Sequence, residues 1–201
     1  GQEFAQTIEW NYKTQLDWLA LEEENHRKIH YFSEKLNKFY LENAPLWQND
    51  DSWQGFSWIS NDDYRQSVIA FRRFDDNGDE IIIVCNFVPV ERRDYKIGVP
   101  YEGTYKLVFS SDALEFGGDG VTSESMKSKP FAMHGFDDSI SLDLAPLSVI
   151  YLKPCRDQKP KIIPIPEKEE KKTVKSASAK KKTEIRTEKS SAENFSETLK
   201  K

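Results

Sequence analysis

Thiol groups are scarce in this sequence, because its 201 residues include only two cysteines, Cys85 and Cys155. Small secreted domains held by disulfides contain more, so a disulfide framework is not expected and a reducing compartment is favoured. Cys85 lies in the apolar run IIIVCNF and is predicted to be a small buried hydrophobic side chain. Long apolar runs are also lacking, since no stretch approaches the roughly 18 residues of a membrane span. The sequence therefore predicts no membrane partner.

The charges are divided unevenly along the chain. Residues 157–201 contain thirteen Lys or Arg and eight Asp or Glu, whereas residues 1–156 contain sixteen basic and twenty-six acidic residues. The acidic body lacks the clustered cationic face that nucleic acid requires, so no nucleic-acid partner is predicted. The tail is dominated by Lys, Glu, Ser and Thr and has too little apolar surface to offset the entropy of ordering. We predict a disordered tail at 157–201, more typical of a solvated segment than of a binding site.

The three histidines offer little for metal binding. His26 and His30 stand four residues apart on a predicted helix, which is the spacing of two ligands on one face. No further ligand cluster accompanies them, so a capping or packing role is favoured. His134 precedes a glycine and is predicted to lie in a turn or at a sheet edge. Neither a metal nor another cofactor is predicted.

One amphipathic helix is predicted near the start of the chain. Apolar residues recur at helical spacing after His26, and polar residues occupy the opposite side. Pro45 disfavours helical geometry at Ala44, so the helix should end near Glu42 or Asn43. A helix with one apolar side must lie against another surface. The expected apolar row is Ile29, Phe32, Leu36, Phe39 and Tyr40.

From about Gly55 the pattern changes to short strands. QSVIAFRRF and EIIIVCNF flank Asp-Asp-Asn-Gly at 75–78, and Asn-Gly supplies the positive φ angles of a tight hairpin turn. The second strand of this hairpin is apolar on both faces and should be central in its sheet. Short strands separated by turn residues, with no helix between them, predict an antiparallel β-sandwich. Further strands are expected at 95–99, 104–109, 139–144 and 147–152.

Several longer sequence motifs resemble those of one enzyme family. GQEFAQ, IEWN and LDW, followed by a histidine and KLNKFY, are similar to the end of the catalytic barrel in bacterial 1,4-α-glucan branching enzymes. These enzymes belong to the α-amylase superfamily, glycoside hydrolase family 13. The similarity continues through GFSWI, VCNFVPV, DYKIGVP, SDALEFGGDG, MHG and LDLAPLSVIYLKP, and it covers nearly all of 1–154 in order. Leu19 departs from the family, which often has a histidine after LDW, and Ser110-Ser111-Asp112 replaces its Asn-Ser-Asp or Asn-Thr-Asp.

The resemblance implies a mainly β fold with three parts. Residues 1–46 would be the end of a catalytic (β/α)8 barrel, namely its last loop and helix. Residues 47–156 would form a C-terminal antiparallel β-sandwich, and 157–201 would be the disordered tail. The sequence would then be the last part of a larger enzyme. The apolar row of the helix, from Ile29 to Phe39, should be exposed in this chain, because the missing N-terminal catalytic barrel would cover it.

The resemblance also implies a reaction. The parent enzyme would act on α-glucan, such as glycogen or amylose, in the cytoplasm during glycogen biosynthesis. It would cleave α-1,4 chains and transfer them to a 6-OH, forming α-1,6 branches by a retaining double displacement at two carboxylates. The family's nucleophilic Asp, acid/base Glu and third Asp all precede the GQEF element. This chain should therefore contain no catalytic residue and should be inactive by itself.

Candidates for substrate binding lie in the opening loop. Carboxylates, amides and indole rings are the groups that line sugar sites. These polar groups could instead close hydrogen bonds within the end loops, and the indoles could supply buried area. Trp53, Phe56 and Trp58 could likewise form an aromatic platform for glucan, although packing is favoured for them. The candidates of the loop are Gln2, Glu3, Glu9, Trp10 and Trp18.

Two other functions remain open from the sequence. A stand-alone β-sandwich could bind glucan without chemistry, but such a module would not need the loop and helix that precede it. A related α-glucan hydrolase or debranching enzyme would share the same architecture. The motifs VCNFVPV and SDALEFGG favour a branching enzyme over a hydrolase or debranching enzyme.

Overall fold

The computed structural model describes residues 1–155, so the predicted disorder of 157–201 lies outside the described residues. Two short 3₁₀ turns, Gln2–Phe4 and Trp18–Glu22, lie in the opening segment before α1 at Glu24–Glu42, the one long helix of the described residues. The described part then contains eight strands. They are β1 Phe56–Asp63, β2 Val68–Phe74, β3 Glu80–Asn86, β4 Arg92–Val99, β5 Thr104–Ser110, β6 Ser125–Lys127, β7 Asp138–Leu144 and β8 Val149–Cys155.

The strands form two antiparallel sheets. The first has six strands in the order β1-β2-β3-β8-β5-β6, and the second pairs β4 with β7. Every pairing between these strands is antiparallel, which confirms the predicted mainly β, antiparallel fold. β6 was not predicted, because three residues between two loops carry no periodic signal.

The β2–β3 turn differs in detail from the prediction. Only Gly78, with φ 78°, takes a positive φ angle, so the turn is not of the two-residue type that Asn-Gly favours. The backbone of Asp75 pairs with that of Asp79, which leaves three residues in the loop. The Asp75 carboxylate accepts hydrogen bonds from the N–H groups of Asn77 and Asp79, at 2.9 and 2.8 Å. The Asp75 side chain thus stabilises a three-residue loop, whereas the Asn-Gly pair alone favours a two-residue loop.

β3 is buried along its whole length, which confirms the predicted central strand. Ile82 and Val84 face the second sheet and join a core to which both sheets contribute. Ile81, Ile83 and Cys85 face the opposite side, against α1 and the turn after it. The continuous apolar run arises because each face of the strand has its own cover. Cys85 is indeed buried, and burial raises the pKa of its thiol to about 11.

α1 lies on the outer face of the six-stranded sheet. Phe39 stacks on Phe109 with ring centroids 5.0 Å apart and meets the edge of Tyr151 at 5.2 Å, while Phe32 lies 6.0 Å from Phe109. The expectation of an uncovered apolar row is therefore wrong at Phe32 and Phe39, because aromatic side chains of β5 and β8 cover that part of the helix. Ile29 stays 38% exposed.

The end of α1 agrees with the prediction from Pro45. Asn43 follows the last helical residue, and its side-chain amide donates to the Phe39 carbonyl at 2.6 Å. The side-chain Oδ1 of Asn43 accepts a hydrogen bond from Lys153 Nζ of β8, also at 2.6 Å. These two bonds satisfy a free carbonyl at the helix end and tie it to the sheet.

A tight turn before β7 holds His134, as predicted. His134 has a φ of 52°, and Gly135 follows with a φ of 80°. The backbone N–H of Gly98 in β4 donates to His134 Nδ1 at 3.2 Å. A β-carbon at Gly98 would meet the Met133 carbonyl oxygen at 2.1 Å, so only glycine lets this turn approach β4 so closely. Burial lowers the pKa of His134 below 6.5, and the nearby carboxylates of Asp62 and Asp63 oppose that shift.

Replacing Ile83 with alanine should remove about 2–5 kcal/mol from the free energy of unfolding, because a buried side chain of this size leaves a cavity. Ile83 is 3% exposed and lies under α1. Val108→Ala on β5 is the matched control, since Val108 is 36% exposed. Urea denaturation measures both variants. Equal losses at the two positions would contradict the cover of β3 by α1.

The stability of the fold should fall as the pH drops through the titration range of His134. Its pKa is lower in the folded chain than in the unfolded chain, so the unfolded chain binds more protons below about pH 6.5. The stability contributed by neutral His134 is complete above its pKa in the unfolded chain. It is lost as the pH falls toward its pKa in the folded chain. His134→Asn tolerates the positive φ and does not titrate, so it should show a smaller loss between pH 7 and 5. An NMR titration midpoint for His134 above 6.5 would contradict this.

Candidate functional site

The opening segment, residues 1–23, is anchored on α1 rather than free. Phe4 is 2% exposed, and its ring lies 5.5 Å from that of Trp18. His26 Nδ1–H of the helix donates to the Phe4 carbonyl at 2.8 Å, and Ser33 Oγ donates to the Glu3 carbonyl at 3.0 Å. His26 therefore positions the backbone of the opening segment at Phe4. Its place on the first turn of the helix sets the path of the segment across α1.

Gln6 joins the two halves of the opening segment. Its Oε1 accepts the backbone N–H of Asp17 at 3.2 Å, and its Nε2 donates to the Ile8 carbonyl at 3.0 Å. The intervening residues, 7–16, thus form a closed loop. Sequence reasoning missed Gln6, because bonds from a side chain to a distant backbone leave no periodic signal in the sequence.

The structure leaves all five predicted substrate-binding side chains accessible at the surface. Gln2, Glu3 and Glu9 are exposed. Trp10 is 74% exposed, and its ring centroid lies 6.2 Å from that of Tyr12. Trp18 is 56% exposed, although one part of its ring covers Phe4. Open indole faces can stack on sugars, so the loop is chemically suited to hold carbohydrate.

Glu3 has the electrostatic character of a hydrogen-bond acceptor. A hydrogen bond from the Gly1 amino group, 2.9 Å away, is the largest cause that lowers the pKa of Glu3. A carboxyl group with a lowered pKa is ionised at neutral pH and has no proton to donate to a leaving group. The Glu3 carboxylate can therefore accept hydrogen bonds from hydroxyl groups, but it lacks the raised pKa of a general acid.

A second aromatic cluster lies at the β1–β2 edge of the six-stranded sheet. Phe56 meets Trp58 edge-on at 4.9 Å and stacks on Phe71 at 5.4 Å. Trp58 is 46% exposed, so the cluster is packed on one side and open on the other. Trp53 lies in the short turn before β1 and is 88% exposed. The structure thus brings Phe56 and Trp58 together and leaves Trp53 projecting into solvent.

Within 1–155, no three His, Cys, Asp or Glu side chains converge on a position that could hold a metal ion. None of the described helices combines the length and the apolar character of a membrane span. Cys85 and Cys155 both carry free thiols.

Comparisons with known proteins give consistent matches. Residues 58–155 match the family described as alpha amylase, C-terminal all-beta domain. The chain is 42% identical over 156 residues to the 1,4-alpha-glucan branching enzyme of Francisella tularensis subsp. novicida, covering 76% of this chain and 24% of that enzyme. It is 43% identical over 158 residues to the 1,4-alpha-glucan branching enzyme of Halothermothrix orenii, covering 77% and 25%. The chain thus spans about a quarter of the length of these relatives.

Among solved structures, the alpha-amylase from H. orenii is 20% identical with a TM-score of 0.41, covering 63% of this chain and 20% of that one. The sequence matches carry the assignment. The family match begins in β1 and ends in β8, so it includes both sheets of the sandwich. Residues 58–155 therefore belong to the family of α-amylase C-terminal all-beta domains.

Proposed function

We propose that this chain is the C-terminal part of a 1,4-α-glucan branching enzyme that acts in the cytoplasm on glycogen or amylose. The supporting observation is the 42–43% identity to two such enzymes over more than three quarters of the chain. That stretch is longer than the all-β domain of 58–155, so at least part of it lies outside this domain. The likeness thus reaches beyond a sandwich that many enzymes share.

The distribution of exposed apolar side chains supports a missing neighbour for residues 1–46. Of nineteen large hydrophobic side chains that are exposed in the described residues, ten lie within the first 47. The remaining nine are spread over more than twice as many residues. Concentrated apolar exposure marks surfaces that bind another structure. In the proposed enzyme the occupant is the catalytic (β/α)8 barrel, of which residues 1–46 form the last loop and helix.

The chemistry of the proposed enzyme resides outside this chain. A retaining transfer needs a carboxylate nucleophile and a carboxyl acid about 5–5.5 Å apart, with the 6-OH of an acceptor chain replacing water in the second step. Residues 1–155 offer the exposed carboxylate of Glu3 and the open rings of Trp10 and Trp18, which suit contact with substrate. The role proposed for the opening loop is to contact α-glucan at the rim of the barrel, where such active sites lie.

A chimera tests the proposal. The segment of the F. tularensis subsp. novicida enzyme that matches this chain is replaced by residues 1–155, and branching of amylose is followed by the shift of the iodine spectrum. We expect branching by the chimera and none by the isolated 201-residue chain. Activity of the isolated chain, or a soluble folded chimera without branching, would contradict the proposal.

Two leucine variants of the chimera sharpen the test. Leu41 on α1 is 71% exposed in this chain, and Leu147 in the β7–β8 turn is 66% exposed. Leu41→Asp should lower branching by about tenfold or more, because an unpaired carboxylate buried at an interface costs more than the roughly 1.4 kcal/mol of a tenfold change. Leu147→Asp should leave branching unchanged. Equal effects would show that α1 has no covering barrel.

A further inference from the structure

A polar groove opens at the edge of the sandwich, between β1 of the first sheet and β4 of the second. Its volume is about 540 Å³, within the roughly 300–1,000 Å³ typical of ligand sites. It lies apart from the opening loop, because none of its lining residues comes from 1–46. Among the lining residues are Ser60, Asp62, Asp63, Gln66, Tyr95 and His134.

Two irregularities of β1 direct its polar residues into this groove. One extra residue lies between the Trp58–Phe71 and Ser60–Ala70 pairs, and a second shift follows before Asp63 pairs with Val68. Residues opposite each other in an antiparallel pair point to the same face. Ala70 and Val68 face the core, so Ser60 and Asp63 turn inward with them. Such bulges re-aim side chains and are frequent beside functional sites.

Ser60 is the group in the groove that lacks a partner. It is 4% exposed, and its Oγ forms no hydrogen bond with any residue of 1–155. A buried hydroxyl without a partner is destabilising, because folding removes its hydrogen bonds to water without replacing them. Asp63 is different, because it accepts hydrogen bonds from Tyr95 Oη at 2.8 Å and from Gln66 Nε2 at 3.0 Å. The groove therefore combines the hydrogen-bonded side chain of Asp63 with the unpaired hydroxyl of Ser60.

His134 adds a donor to the opposite side. Its Nδ1 accepts the Gly98 N–H, so the neutral ring carries its proton on Nε2, which can donate. Asp94 and His134 both line the groove with φ angles of 51° and 52°. Such angles in residues other than glycine are uncommon and often occur at functional sites.

The charges around the groove select a neutral ligand. Arg93 and Lys96 line it together with Asp62, Asp63 and Asp94, so neither a cation nor an anion meets a wall of opposite sign. Lys96 of the groove has its Nζ 5.8 Å from the centre of the Phe131 ring, and Phe131 is 56% exposed. Hydroxyl, carboxylate and imidazole groups beside an open ring suit a polyhydroxylated chain with apolar C–H faces.

We propose that this groove is a binding site for an α-1,4-linked glucan segment, with Ser60 and His134 bonding sugar hydroxyls and Phe131 stacking at the rim. The choice of α-glucan rests on the proposed function, whereas the choice of a neutral carbohydrate rests on the groove itself. Such a site holds a glucan chain on the sandwich without reacting with it.

The 201-residue chain is titrated with maltoheptaose while ¹H–¹⁵N NMR follows the backbone amides. We expect saturable shifts at Ser60 and at Gly98, whose N–H bonds His134. Ser60→Val removes the hydroxyl and His134→Asn removes the Nε2 donor while tolerating the positive φ. Each should weaken binding by about fivefold or more, which corresponds to the roughly 1 kcal/mol of one hydrogen bond. Ser57→Val is the matched control on the same strand, and it should bind as the unaltered chain does.

Several outcomes would overturn the site. These are shifts confined to Trp53 and Trp58, unchanged affinity in Ser60→Val, or shifts at the groove with calcium chloride or inorganic phosphate but not with maltoheptaose. The spectra of the variants also show whether each one is folded. The groove variants alter no residue of 1–46, so a failure here leaves the chimera result standing, and the failures of the two proposals can be told apart.

Discussion

The burial of β3 on both faces is the constraint on which the rest of the structure depends. One face of Glu80–Asn86 packs against the second sheet, and the other is covered by α1 and the turn that follows it. A strand with two apolar faces needs two covers, because an uncovered face would leave its isoleucines in water. The helix therefore contributes to the packing of the sandwich, and it also connects the opening segment to the strands.

The same helix has a second set of apolar side chains that the sandwich does not reach. Phe32 and Phe39 are held by the rings of Phe109 and Tyr151, but Tyr40 and Leu41 remain 41% and 71% exposed. In the proposed enzyme, the catalytic barrel packs against this second side of the helix. Residues 1–46 thus pack on the sandwich and still present an open surface.

Much of the sheet could be predicted from the sequence, because alternation and turn residues act locally. Ile140, Leu142 and Leu144 alternate with polar residues in β7, and all three are buried. What could not be predicted depends on pairings between distant segments. The contact of Phe39 with Phe109 joins residues 70 positions apart, and no local pattern indicates that β5 would supply this partner.

The candidate sites divide in the same way. Resemblance to known sequences drew attention to Gln2, Glu3, Glu9, Trp10 and Trp18, and the structure finds them accessible. The groove was not foreseen, since Ser60 faces inward only because two register shifts of β1 place it opposite Ala70. His134 was predicted to lie in a turn, and its bond to Gly98 becomes visible only when β4 lies beside that turn.

Amide hydrogen exchange in the isolated 201-residue chain tests the central proposal, that α1 packs on the sandwich with one side and on a catalytic barrel with the other. With only one side covered, α1 should open locally at a lower free energy than global unfolding, so its amides should exchange faster than those of β3 and β8. Protection of α1 equal to that of these strands would mean that this chain alone completes the packing of the helix, and it would contradict the account.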